Sequence, residues 1–225
     1  VLKVNAKAGE AEILLYDNIG EDPWFGGGIS AKAFNDALQQ AGKVPISLRI
    51  NSGGGSVFEG AAMYNMLRRH PKPVNVYVDG LAASIASVIA MAGETIQMGE
   101  TSWIMIHDPW TFALGSASDL RQQADLLDSL GDELVLAYTR KTGLSAAEVK
   151  GLMNGETWFN PTDAVAKGFA DSIFESQKAA AWAPFDRFGY KHVPEPVATR
   201  KVATNIAAGI ASMTQALQRR GINTA

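Results

Sequence analysis

Three short segments carry the alternation that a half-buried β-strand requires: Ile46-Ser-Leu-Arg-Ile50, Val74-Asn-Val-Tyr-Val78 and Trp103-Ile-Met-Ile-His107. Thr95 to Met98 reads as another. Between them the period changes. Val57, Ala61, Tyr64 and Leu67 recur at helical spacing behind Ser56, a residue suited to cap a helix N-terminus. From Ser118 to Tyr138 a longer pattern runs through Leu120, Ala124, Leu127, Leu130 and Leu134, about five to six turns of amphipathic helix. Strands alternating with helices restrict the chain to an α/β fold with mostly parallel pairing.

The totals narrow the function classes. A chain of 225 residues with 47% hydrophobic residues supports one medium α/β domain with an appendage, or two small domains. Its net charge of −3 offers no overall basic field, so no nucleic-acid partner is expected. Cysteine is absent, which excludes disulfides, thiolate metal sites and a cysteine nucleophile. No cofactor and no metal is expected. The longest apolar-or-small run, Leu81 to Met91, is too short for a bilayer span of about 20 residues, and VLKVNAKAGE lacks the apolar core of a secretory signal. A soluble cytoplasmic protein is the expectation.

The character of the chain changes after about Glu175. Residues 176–225 hold seven Lys/Arg and two Asp/Glu, a balance of +5 that leaves −8 of the total −3 on residues 1–175. We therefore expect a domain over 1–175, a linker over 176–199 that includes VPEPVATRK, and an amphipathic helical tail over 200–220. In that tail Val202, Ile206, Ile210, Met213 and Leu217 form one apolar stripe.

Chemistry concentrates in three places. His107 closes the strand WIMIH before Asp-Pro, and strand ends are where an α/β sheet presents reactive groups. A structural histidine is the competing reading. His70 ends a helical pattern and His192 lies in the basic appendage. Ser84 follows the strand VNVYV and a glycine and precedes an Ala-rich segment, the layout of a nucleophile elbow. Small neighbours Ala82, Ala83 and Ala86 suit a tight turn, although tightly packed helices also contain such runs. The loop Asn51-Ser-Gly-Gly-Gly-Ser56 follows ISLRI and exposes main-chain N–H groups. It is neither a P-loop nor a dinucleotide fingerprint, because no Gly-Lys-Ser/Thr follows and its glycines are contiguous. An oxyanion-binding loop fits.

Taken together, INSGGGSV (50–57), GLAASIAS (80–87), IMIHDP (104–109) and ETWFNPTDAVAKGFADSI (156–173) resemble the proteolytic subunit of the Clp protease, the serine peptidases of family S14. The resemblance covers roughly residues 10–175. It implies the ClpP/crotonase fold, a spiral of β-β-α units with a long handle helix placed near 118–140. Carried over, Ser84 is the nucleophile, His107 the general base, and the backbone N–H groups of Gly54 and Ile85 the oxyanion hole. A serine hydroxyl needs such a base to become a nucleophile, and His107 is the one core residue of suitable pKa.

This chain departs from the family pattern at two positions. The family's Ser-Pro-Gly-Gly is here Ser52-Gly53-Gly54-Gly55, a less rigid loop. Counting back from Ala164, the family's catalytic Asp falls on Glu156, whose extra methylene changes its reach. Asp108, Asp163, Asp171 or a backbone carbonyl are the alternatives behind His107.

The segment from Glu12 to Phe34 is similar to Clp-like peptidases of tailed phages and prophages that act in capsid maturation. That likeness implies cleavage of a capsid or scaffold protein within a prohead, in a homo-oligomeric ring (heptamer or double heptamer). A partner AAA+ unfoldase is implied only if the chain is of the housekeeping type. The stretch WTFALGSAS (110–118) reads as a loop near the site, with Trp110 and Phe112 lining a specificity pocket or a subunit contact. Rival readings are a crotonase-type acyl-CoA enzyme, a Ser/Lys-dyad peptidase and a non-catalytic assembly protein keeping the fold.

Overall fold

The computed structural model describes residues 1–7, 9–21, 27–175 and 189–194. The expected helical tail over 200–220 and most of the expected linker lie outside those residues.

The chain opens with an antiparallel pair, β1 (Leu2–Lys7) and β2 (Glu10–Leu15). Helix α1 (Ala31–Ala41) follows. Its Ser30 cap accepts from the Ala33 N–H, and Phe34, Ala37, Leu38 and Ala41 face the core at helical spacing. Then come β3 (Ile46–Ser52), α2 (Val57–Arg68), β4 (Val74–Ala83), α3 (Ile85–Ala90), β5 (Thr95–Gly99) and β6 (Trp103–Ile106). The long α4 (Ala117–Thr142) leads to α5 (Ala146–Asn154), β7 (Thr157–Phe159), α6 (Pro161–Ala166) and β8 (Ser172–Phe174). Among the described residues no helix is long and apolar enough to cross a membrane.

The strands form one sheet in the order β1-β2-β3-β4-β5-β8, with β6 joined to β4 and β7 to β6. All pairs are parallel except β1/β2 and β6/β7. This is the α/β fold with mostly parallel pairing expected from the alternation of periods. Ile13, Leu48, Val76, Ile96 and Phe169 are fully buried in its core. Each such side chain contributes about 1.5–3 kcal/mol on leaving water.

The strand expected over Val74–Val78 continues through Gly80 to Ala83 and serves two neighbours in turn. Its first half pairs with β5 and its last three residues pair with β6. The β3/β4 register shifts between Ile50 and Ser52, which would strand a backbone donor. Asn51 repairs this: its side-chain oxygen accepts the Leu81 N–H at 3.1 Å. Gly80 makes room, since a Cβ there would lie 2.7 Å from that oxygen. The extension carries β4 directly to Ser84.

Helix α4 occupies the expected handle position and begins in a capping box, with Ser116 and Asp119 satisfying each other's backbone donors. Gly143, in the left-handed conformation, ends it. Only the second half is built into the core, through Leu134, Val135, Ala137 and Tyr138. Its first half is largely exposed, including Leu120 and Leu126.

Candidate active site

Ser84 stands between the end of β4 and the start of α3, with its N–H held by the Met105 carbonyl of β6 at 2.9 Å. Its backbone lies at φ 54°, ψ −130°, a region that side chains other than glycine rarely occupy. It holds the N-cap position of α3, yet its side chain makes no capping bond. The hydroxyl is turned instead to His107, with Oγ 2.8 Å from Nε2. Ala82, Ala83 and Ala86 are fully buried, so the tight turn is packed with side chains that cost no room. Beneath it, the Ser87 hydroxyl donates to the Ser84 carbonyl at 2.6 Å and lies 2.8 Å from the Tyr138 hydroxyl.

His107 follows β6 directly and is half-buried. Burial holds its pKa below the ordinary histidine value, opposed by the negative charges of Glu156 and Asp108 and assisted by the nearby Lys191 charge. The imidazole is therefore biased to the neutral form that can accept a proton.

Glu156 lies close enough to act on His107 through its charge, but no hydrogen bond joins the two. Its backbone is also left-handed, at φ 47°. The residue is 9% exposed. It accepts from the His192 N–H at 2.7 Å, from the Lys191 N–H at 2.8 and 2.9 Å, and from the Trp158 indole at 3.2 Å. Burial alone would raise its pKa; these donors, the two backbone N–H groups foremost, outweigh burial and hold it lowered. The other carboxylates considered behind His107 are engaged elsewhere. Asp163 caps the start of α6 with Asn160, and Asp171 pairs with Lys141 and the Ile96 N–H. Asp108 is exposed, accepts from Asn154 and acts on His107 only through its charge.

The glycine loop lies against the serine. A Cβ on Gly54 would sit 2.8 Å from both the Ser84 Cβ and the Ala83 carbonyl oxygen, and φ there is +92°. Only glycine fits that approach. The loop is pinned to Ile19, whose N–H donates to the Gly54 carbonyl and whose carbonyl accepts from Ser56. The Gly54 N–H donates to the Ser52 hydroxyl at 3.1 Å. The N–H groups of Gly55 and of Ile85, at the first position of α3, donate to no group among the described residues.

Several neighbours of the site carry no periodic signal and escape a sequence reading. Tyr190, from the region expected to be linker, packs edge-on against His107 and Trp158 with ring centroids 5.5 Å away in each case. Its hydroxyl donates to the Gly53 carbonyl. His192 belongs to the same cluster through its N–H, and its Nδ1 donates to the Gly155 carbonyl at 3.2 Å. Ser87 and Tyr138 lie in motifs visible in the sequence, but nothing there joins them. His70 is a half-buried helix-end residue donating to the Val44 carbonyl at 2.8 Å. Trp110 and Phe112 are exposed and touch each other edge to face.

Residues 33–177 match the family model described as Clp protease, a span that holds Ser84, His107 and Glu156 but stops short of Tyr190. The ATP-dependent Clp protease proteolytic subunit 1 of Prochlorococcus marinus subsp. pastoris is 33% identical over 135 residues, covering 59% of this chain and 68% of that protein. The protein of the same name from Protochlamydia amoebophila is 32% identical over 143 residues, covering 62% and 69%. Among solved structures, a ClpP1 mutant from Listeria monocytogenes superposes with a TM-score of 0.63 at 22% identity, covering 74% of this chain and 92% of that one, which shows a shared fold. With the model matched over more than half its length, the chain belongs to the Clp protease family of serine peptidases.

Proposed function

We propose that this chain is a serine endopeptidase in which Ser84 is the nucleophile, His107 the general base and Glu156 the acidic group behind it. The observation that carries this reading is the 2.8 Å contact between Ser84 Oγ and His107 Nε2, made by a serine held at positive φ. His107 Nε2 takes the hydroxyl proton as Oγ attacks the substrate carbonyl carbon, then returns it to the leaving amine as the C–N bond breaks. Water repeats the sequence on the acyl-enzyme and releases the acid. Glu156 stabilises the transient imidazolium through its charge.

The developing oxyanion is received by main-chain donors. Ile85 offers an unengaged N–H at the start of α3, next to the nucleophile. The second donor comes from the glycine loop. Gly54 serves if its N–H leaves the Ser52 hydroxyl, whereas the Gly55 N–H needs no such change.

The substrate is a capsid or scaffold protein cleaved during phage head maturation, a reading that rests on residues 12–34 and the basic C-terminal region. The working form is a homo-oligomeric ring, supported by the exposed apolar side chains of Leu120, Leu126, Trp110, Phe112 and Leu114 on α4 and the loop before it. No ATPase step is required of this chain. A fluorophosphonate probe tests the chemistry. The parent is expected to label, and Ser84→Ala and His107→Ala are expected not to. Parental labelling of Ser84→Ala would overturn the assignment. In the same preparation, phage head protein is expected to be cut in preference to casein.

A further inference from the structure

Two positions of the site hold little rigidity of their own: Gly53, which heads a run of three glycines, and Glu156, whose carboxylate stands beyond two side-chain methylenes. A run of three glycines has more backbone freedom to lose than Pro-Gly-Gly, and a glutamate has one more rotatable bond than an aspartate.

Both positions are held by the same short segment. The Tyr190 hydroxyl donates to the Gly53 carbonyl, which fixes the peptide plane joining Gly53 to Gly54. The next two N–H groups, of Lys191 and His192, close on the Glu156 carboxylate at 2.7 to 2.9 Å. Between these anchors the Tyr190 ring covers His107 edge-on at 5.5 Å. Three consecutive residues thus touch the glycine loop, the base and the acid, yet they lie beyond the stretch that matches the family model.

We propose that residues 189–194 are a positioning strap of the catalytic site, supplied by the chain's own C-terminal region and giving Gly53 and Glu156 the rigidity they lack by themselves. Tyr190 is the central positioning residue. It acts through the groups it touches: its hydroxyl orients the glycine loop and its ring excludes water from the imidazole. The strap leaves Ser84 partly exposed, so it frames the nucleophile without covering it. The proposal rests on the peptidase reading of Ser84 and His107.

The groups facing His107 are Glu156, Asp108, Lys191 and Tyr190. Removing the Tyr190 ring readmits water, so the His107 pKa rises toward its ordinary value near 6.5. A purely structural segment would not move that titration.

The test uses the full chain with Tyr190→Phe and Tyr190→Ala. Tyr190→Phe keeps the ring and loses the Gly53 bond, so fluorophosphonate labelling is expected to slow about fivefold with its pH dependence unchanged. Tyr190→Ala is expected to slow further and to shift the acid limb of the labelling rate to higher pH. The ring resonances of His107, followed by NMR, are expected to titrate at higher pH in Tyr190→Ala whether or not the chain labels. Parental rates with an unmoved His107 titration would overturn the strap, and faster labelling of either variant would overturn it by making the segment an inhibitor. If the parent itself is unreactive, the peptidase reading fails, while the His107 titration still decides whether the strap sets the environment of the imidazole.

Discussion

Ser84 and Glu156 are the only described non-glycine residues at positive φ, and both belong to the site. A left-handed backbone costs such residues of order 1–3 kcal/mol, which the surrounding packing must hold in place. At Ser84 the strain aims the hydroxyl at His107 and away from the helix it would otherwise cap. His107 is poised by burial below the ordinary histidine pKa, and Glu156 partly restores it. With His107 as the proposed general base, activity requires the neutral imidazole, so the peptidase rate is expected to rise with pH through a midpoint below about 6.5. Glu156→Gln removes the charge that raises the His107 pKa. That midpoint is expected to move to lower pH, and the plateau to fall by about 100-fold or more, in a kcat/KM profile. The histidine is legible at this scale because the chain has only three, and the serine because it stands between a strand and an Ala-rich segment. Glu156 is legible only by counting along a motif. Neither residue's conformation can be read, since neither position carries the glycine that usually marks positive φ.

Contacts between elements decide whether those residues meet. Gly60 sits inside α2, where alanine would favour the helix by roughly 0.5–1 kcal/mol. A Cβ there would intrude on Ile85 Cγ1, well inside van der Waals contact, and come within 3.3 Å of Ile85 Cβ. Ile85 is buried and carries the N–H next to Ser84. Gly60→Ala is therefore expected to destabilise the fold by about 1–2 kcal/mol net in chemical denaturation, and to slow labelling of Ser84. The α2/α3 crossing is not visible in either helix pattern, because each records only which of its own faces is apolar. The same limit hides the Tyr138–Ser87–Ser84 chain of hydrogen bonds, which ties the base of the handle helix to the Ser84 carbonyl.

At the scale of the whole molecule, α4 leaves the core after its second half and carries Leu120 and Leu126 into solvent. A 26-residue helix extends about 39 Å, long enough to reach another subunit. Leu126→Asp is expected to sediment as a smaller species than the parent in analytical ultracentrifugation. Sedimentation identical to the parent would remove this face from the assembly contact.

Residue order was enough to establish the α/β class, the mostly parallel sheet, the cap at Ser56, the long helix, and a serine, a histidine and a glycine loop at strand ends. These are local properties. Hydrophobic period, capping chemistry and glycine's freedom act over a few residues, so they leave their trace in adjacent letters. Folding in three dimensions settled the rest: the extension of β4 around Asn51, the hydroxyl turned to His107, and the contacts of Tyr190, Lys191 and His192 with Gly53 and Glu156. Tyr190 reaches Gly53 across 137 positions, and His192 reaches Glu156 across 36. Contacts at such separations use backbone groups that every residue possesses, so they become specific only when the sheet brings the two segments to one place.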